Sequence, residues 1–361
     1  MKHKMNKLSR ETFLEKILED GGMPDEEERK KIYRYVTDKD ENIRYYVAEI
    51  LGFRCNDDDE LILRRMTYDR EWLVKVNAID SLGMGIQERS QQRLYQLMTC
   101  GQRMVRGYAV GSYFDIWVNR YGYTESSMKR YRENIAPLYQ REKDPWVRIS
   151  YEANRYHSGD RDGIKAMKDL ICEARGDQYR VQSAAIYMLL NSIRNLFNEQ
   201  EVNRIFEEVS GYVDDYLGAK KDMLTRMNAK ETPRILIVSS DNSGLSLLLE
   251  YQGVREEETW WTDSAGISPA DEVRDEVKKC LRRTDCDLTR YYYPGGIRQV
   301  WRYDYIVPIG IRLQEDEYPF QRIIRMFENE DESMTDLKKA KEMWKELSEF
   351  IKVDRKCRKA E

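Results

Sequence analysis

The sequence predicts two architectures in one chain: an α-helical repeat solenoid over residues 1–228 and a small three-layer α/β domain with a four-stranded parallel sheet over residues 229–361. Three observations carry this. An apolar-basic pattern returns five times in phase within the first 225 residues, which is the mark of stacked units. A wholly apolar run, Ile-Leu-Ile-Val at 235–238, then leads into a polar turn and an apolar helix. The 361 residues exceed what one compact core serves, and 8 prolines and 20 glycines are too few for a linker-like chain. Charged residues make up 35% and hydrophobic ones 41%, so a core is available beneath a heavily ionised surface.

The repeat is read from five segments: NIRYYVAEILG from Asn42, WLVKVNAIDSLG from Trp72, MVRGYAVGSYF from Met104, WVRISYEANRY from Trp146 and YRVQSAAIYML from Tyr179. Each sets a large apolar residue before a basic one, then small and aliphatic residues at helical spacing. The basic positions are Arg44, Lys75, Arg106, Arg148 and Arg180, separated by 31, 31, 42 and 32 residues; the longer gap leaves room for an insertion around residues 121–131. Asp40, Asp69, Asp144 and Asp177 precede four of them, where a carboxylate can cap the coming helix and face the basic side chains of a neighbouring unit. Between these helices lie others of 3.6-residue apolar period, DELILRRM from Asp59 and QQRLYQLM from Gln91, giving two antiparallel helices per unit. The aromatic stretch 108–123, with Tyr113, Phe114, Trp117 and Tyr121, has the spacing of core packing rather than of a partner groove.

The D-x-x-V-R pattern before an A-x-x-L-G-like turn resembles the HEAT repeats, over roughly residues 8–225. That resemblance implies an α-helical HEAT-type solenoid whose stacked pairs share one core and whose exposed surface receives a protein partner. The same family includes bilin-lyase-like proteins and DNA glycosylases. A nucleic-acid-binding array would want a basic face, and the 39 basic and 38 acidic residues up to position 230 do not advertise one.

Character changes at Pro233, which ends the helical run. The apolar segment 235–238 reads as a buried parallel strand, SSDNSG from Ser239 as a turn, and LSLLLEYQG from Leu245 as a helix. Such a turn lies at the carboxyl end of a strand and the amino end of a helix, the usual seat of an anion. The candidate ligand-binding loop is therefore Ser239, Ser240, Asp241, Asn242, Ser243, Gly244 and Ser246.

Here the chain resembles the low-molecular-weight protein tyrosine phosphatases and the related arsenate reductases, whose first strand runs into V-C-x-G-N-x-C-R-S. The likeness continues through DSAG from Asp263, a second strand, then RYDYIVPIG from Arg302, a third, and a closing helix from Met334. Chemistry in that family needs a thiolate nucleophile, an arginine clamping the phosphoryl oxygens, converging N–H groups and an aspartic acid. Aligned on Val238, the cysteine is Ser239, the glycine Asp241 and the arginine Leu245. A serine hydroxyl has no route to its anion without an adjacent base, Leu245 cannot clamp, and Asp241 puts a carboxylate where a dianion is meant to arrive. Asn242, Ser243 and Ser246 match the loop, so its turn can persist as architecture. For the acid, the run FENEDES from Phe327 offers Asp331 as the nearest equivalent. The expectation is a preserved fold with no catalytic residues and no welcome for a small anionic ligand.

Composition narrows the rest. Net charge is −4, which gives no reason to expect DNA or RNA. The first 20 residues lack the continuous apolar core of a secretory signal, and no segment approaches the roughly 20 apolar residues of a membrane span, so a cytoplasmic address with no membrane partner is expected. Six scattered cysteines and only His3 and His157 call for no metal and no cofactor. Cys100 and Arg106 share the C-x5-R spacing of a phosphatase loop, but no strand precedes them and the 31-residue period already accounts for the arginine. Cys280 and Cys286 read as separate helix cysteines, and GGIRQVW from Gly295 as a turn before the third strand. The reading that follows is a non-catalytic interaction or regulatory protein. Two alternatives stand beside it: a diverged phosphatase or phosphoryl-ligand-binding enzyme centred on the Ser239 to Ser246 loop, and a nucleic-acid-binding HEAT-like array.

Overall fold

The computed structural model describes residues 2–19, 24–53, 55–172, 199–209, 221, 232–256, 260–270, 272–282, 295–297 and 299–358. Arg180, Asp177 and the rest of the fifth repeat segment, together with Cys286, lie outside the described residues. The chain divides into two compact units, Met1–Met223 and Leu224–Glu361.

The first unit is helical among its described residues. Its helices are α1 (Lys2–Glu19), α2 (Glu26–Tyr33), α3 (Glu41–Phe53), α4 (Asp57–Met66), α5 (Trp72–Leu82), α6 (Glu88–Leu97), α7 (Arg103–Tyr121), α8 (Glu125–Arg141), α9 (Pro145–His157), α10 (Gly163–Cys172) and α11 (Glu199–Val209). The alternate helices α1, α3, α5, α7 and α9 pack on one another in sequence, and α4 and α6 lie against α5 and α7. The reason is visible in the spacing. Ile43, Val47, Ile50 and Leu51 of α3 and Val74, Ala78, Ile79 and Leu82 of α5 fall on one stripe each and are fully buried. Gly52 allows these helices to close: a Cβ there would stand 2.6 Å from the Ser81 hydroxyl.

The polar helices start on caps. Asp25 with Glu28, and Asn56 with Asp59, form reciprocal capping boxes at α2 and α4. Asp144 accepts from the N–H groups of Trp146 and Val147 at the head of α9, where Pro145 fills the first helical position.

The longer repeat interval holds no inserted element around residues 121–131. Its extra residues lengthen the helices instead: α7 has 19 and α8 has 17, against 11 and 10 for α5 and α6. Aromatic packing supports that length. Tyr113, Phe114 and Trp117 are buried around Tyr131, with Phe114 and Tyr131 ring centroids 4.9 Å apart, so these three are core, whereas Tyr121 is exposed.

The second unit contains β1 (Arg234–Ser239), α12 (Leu245–Glu256), β2 (Trp261–Gly266), α13 (Asp275–Arg282), β3 (Tyr305–Pro308), β4 (Arg322–Ile323) and α14 (Leu337–Arg358). Its sheet is four-stranded and wholly parallel in the order β2-β1-β3-β4, with Ile237 opposite Ser264 on one side and Val307 on the other. Both faces of β1 are buried, as a central parallel strand requires. Ile235, Ile237, Tyr305 and Val307 meet Leu248 of α12, Val277 of α13 and Trp344 and Leu347 of α14 in one core. Gly295 and Gly296 sit beside the end of β2: Gly296 bridges Gly266, and the Gly266 N–H donates to the Gly295 carbonyl. Among the described residues no helix is long and apolar enough to cross a membrane.

Candidate functional site

The loop from β1 to α12 is the place the strand order singles out, since it lies at the carboxyl end of the central strand. Ser239, Asn242, Ser243, Leu245 and Ser246 are all buried there. Asn242 takes the left-handed conformation (φ 52°), which asparagine tolerates better than most residues.

The hydroxyls of Ser239 and Ser246 and the Asn242 side-chain oxygen form one hydrogen-bonded chain. The Ser246 hydroxyl donates to Asn242 Oδ1 at 2.9 Å. Its proton being so committed, the 2.9 Å contact with Ser239 is a donation from Ser239 to Ser246. Ser239 in turn accepts from the Asn242 N–H at 3.0 Å. The chain of donors therefore ends on an amide oxygen, which is no base, and Ser239 has nothing to take its proton. Asn242 Nδ2 is buried without an acceptor.

Two carboxylates meet this loop, in different ways. Asp241 turns to Arg274, whose Nη2 donates to it at 2.9 Å, while Asp241 Oδ1 accepts from the Ser243 N–H. Arg274 also donates through Nε to the Ser243 hydroxyl. Burial pushes the Asp241 carboxyl up, but the Arg274 and Ser243 hydrogen bonds outweigh it and hold the group below the usual carboxylate range. Asp241 is thus neutralised in place rather than aimed at a ligand position.

The second carboxylate is Glu332, one residue beyond the acid expected from sequence. Its Oε2 accepts from the Ser240 N–H at 2.7 Å and its Oε1 from the Ser240 hydroxyl, while its backbone carbonyl accepts from the Leu245 N–H at the head of α12. Asp331, the sequence candidate, is exposed and accepts from the N–H and hydroxyl of Ser333, which hold its carboxyl low. It caps a turn and the loop contact belongs to Glu332.

The N–H groups of Ser240, Asn242, Ser243 and Leu245 are therefore all taken by acceptors of the protein itself. The loop carbonyls are held as firmly: Ser239, Ser240 and Asp241 accept from Ile267, Ser268 and Ala270 after β2. Gly266, last of the Ser-Ala-Gly run, permits that approach, since a Cβ there would lie 2.9 Å from the Asp241 carbonyl carbon. Gly244 passes closer still to the Glu332 carbonyl oxygen. Sequence reasoning missed Arg274 and Glu332 because each lies far along the chain from the loop it serves.

In the helical unit the structure places the ladder residues as follows. Arg44 makes a two-pronged pair with Asp69 of the next repeat at 2.7 and 2.9 Å, nearly buried on both sides. The Asp69 contact outweighs burial and raises the Arg44 guanidinium further above its ordinary value. Arg106 reaches across in the same way but to Glu142, because Asp144 is occupied with capping α9. Arg106 also donates to the Cys100 carbonyl, which gives that pair a structural meaning unrelated to a phosphate loop. Lys75 has no ion pair among the described residues, and the next repeat carries Gln102 where an Asp would stand. Arg148 contacts the Tyr139 hydroxyl at 3.3 Å. The ladder begins one step earlier than the sequence suggested, with Arg10 of α1 paired to Asp38.

Cys280 donates to the Thr335 carbonyl. No family model matches the chain, and no curated protein matches it. Among solved structures it is similar to the Corynebacterium glutamicum thioredoxin-dependent arsenate reductase Cg_ArsC1′, at 15% identity and a TM-score of 0.28, over 57% of this chain and 97% of that one.

Proposed function

We propose that the chain is a non-catalytic interaction protein in which a HEAT-type helical array receives a protein partner and a low-molecular-weight phosphatase-like domain serves as a second recognition or regulatory module. The observation that carries the reading is the Glu332 carboxylate on the Ser240 N–H, in a loop where the N–H groups of Asn242, Ser243 and Leu245 also have protein acceptors. An arriving phosphoryl group would have to displace that carboxylate, and then meet neither thiolate nor guanidinium at positions 239 and 245. The HEAT assignment draws support from the repeat period, the paired helices and the arginine-to-carboxylate pairs between successive repeats.

The test is a hydrolysis assay on aryl phosphates and phosphopeptides with the native chain, Ser239→Ala and Glu332→Ala. The expected outcome is no turnover in any of the three. Turnover by the native chain that disappears in Ser239→Ala assigns the loop a reaction and overturns the proposal. Affinity capture with the native chain as bait addresses the partner, and a chain that is monomeric and retains nothing specific counts against it.

A further inference from the structure

Among the described residues of the helical unit, four arginines that make no ion pair line one groove. A groove of about 400 Å³ opens between α4 and α6, and its walls are two stripes of identical helical spacing. Arg64, Arg65 and Tyr68 stand with Leu61 on the α4 side, and Arg89 and Arg93 on the α6 side. The remaining two lining residues are glutamines. No aspartate or glutamate occurs anywhere from Arg89 to Phe114, in a chain with 65 acidic residues.

None of the four arginines has an ion pair among the described residues, in contrast to their neighbours on either side. Arg29 is paired with Asp59, Arg44 with Asp69 and Arg106 with Glu142. Neutral groups instead aim the groove arginines. Arg64 donates to Gln87 Oε1 at 2.6 Å and Ser90 Oγ at 2.8 Å, and Arg93 donates through Nε to Thr67 Oγ1 at 2.8 Å. That leaves the outer N–H edges for something else. Burial without a carboxylate nearby pulls the Arg93 guanidinium below its ordinary value. Arg89, in the first turn of α6, also faces the positive end of the helix dipole, so helix stabilisation does not explain it.

The aromatic group adds a second kind of contact. Tyr68 is 70% exposed, and the Arg93 guanidinium lies over one face of its ring, 3.7 Å from the centroid. The guanidinium–tyrosine stack presents a flat surface beside the charged edges. Four forked donors suit phosphate oxygens, a flat aromatic surface suits a planar ring, and the volume is that of a small-molecule site. The convergence of the four arginines on one groove from two helices separates this from a nucleic-acid track, which needs a row of unpaired basic groups along successive phosphates.

We infer that the groove between α4 and α6 binds a nucleotide, its phosphates on Arg64, Arg65, Arg89 and Arg93 and its base against Tyr68.

The experiment is calorimetric titration of the full chain at low ionic strength with ATP, ADP, adenosine and inorganic pyrophosphate. ATP is expected to bind at one site, adenosine not at all, and pyrophosphate more weakly than ATP. The double substitution Arg65→Gln with Arg89→Gln removes two exposed cations; it is expected to weaken ATP about tenfold or more, the loss of roughly 1.4 kcal/mol. Tyr68→Ala is expected to bring ATP down to the affinity of pyrophosphate while leaving pyrophosphate unchanged. Hydrogen-exchange protection by ATP on the native chain, expected on α4 and α6, locates the site without any variant. Absence of binding, binding indifferent to the arginine substitutions, or protection elsewhere overturns the inference. Tighter capture of a single-stranded oligonucleotide or a phosphopeptide by the same arginines also overturns it, since the groove then belongs to a macromolecule.

Discussion

Glu332 and Asp241 bring like charges to one small loop, and only their partners distinguish them. Asp241 has Arg274; Glu332 has the N–H and hydroxyl of Ser240. Removing the Glu332 carboxylate strands both donors at the loop, so Glu332→Ala is expected to cost about 1–3 kcal/mol, while Glu332→Gln, which keeps an acceptor oxygen, costs less. Urea unfolding of the two variants checks this, and equal losses would mean that the side chain acts only through packing. A second residue gives the domain a pH dependence. Burial raises the Glu250 carboxyl to about 8, the nearby Asp263 charge adds to it, and the Ser264 hydroxyl bond opposes it. The folded state thus holds a proton that the unfolded state releases near the ordinary glutamate value. Stability is full below that value and falls as pH rises toward 8, above which the loss is complete. Glu250→Gln is expected to flatten this decline; denaturation midpoints at pH 6 and pH 9 that separate as widely as in the native chain would refute it.

Helix-to-helix pairs of the ladder are the next scale up. Arg44 and Asp69 are almost fully buried, and removing one partner leaves the other charged without compensation, so Arg44→Ala is expected to cost about 3 kcal/mol or more. Lys75→Ala, at the equivalent repeat position but without an ion pair, is expected to stay within about 0.5 kcal/mol. The Asp69 carboxyl, pushed up by burial but carried lower overall by Arg44, makes its contribution above the unfolded carboxylate range and loses it as pH falls through its depressed value. Asp144→Ala, which uncaps α9, is expected to cost about 1 kcal/mol in thermal unfolding. The contrast explains what was legible in the sequence. The 31-residue period and the apolar stripes are local regularities, so helices such as α3, α4, α5 and α6 and the strands β1, β2 and β3 can be read from their own residues. Glu142 in place of Asp144, Arg10 with Asp38, and Glu332 in place of Asp331 are choices between near neighbours, decided by which side chain the fold has already spent on a cap or a turn. The extra residues between Arg106 and Arg148 show the same limit: spacing reveals surplus chain, and packing around Tyr131 decides that it becomes helix.

At the scale of the molecule, the question is whether each unit carries its own core. In the second unit it does: the buried cluster runs from Ile235 to Ile351 and draws on β1, β3, α12, α13 and α14, with all its members inside residues 224–361. The parallel sheet needs no strand from elsewhere, and its central strand is covered on both faces. In the first unit each helix pair leans on the next, so cooperativity should follow the stack rather than a single centre. Expressed alone, residues 224–361 are therefore expected to melt in one cooperative transition with the near-ultraviolet signal of an ordered Trp344 and Trp260 pair. Residues 1–223 should melt separately and lose stability on Arg44→Ala, a substitution to which the other fragment is blind because it lacks the residue. A 224–361 fragment with helical content but no cooperative transition would show that this core depends on the first unit, and that the two architectures read from the sequence are not independent folding units.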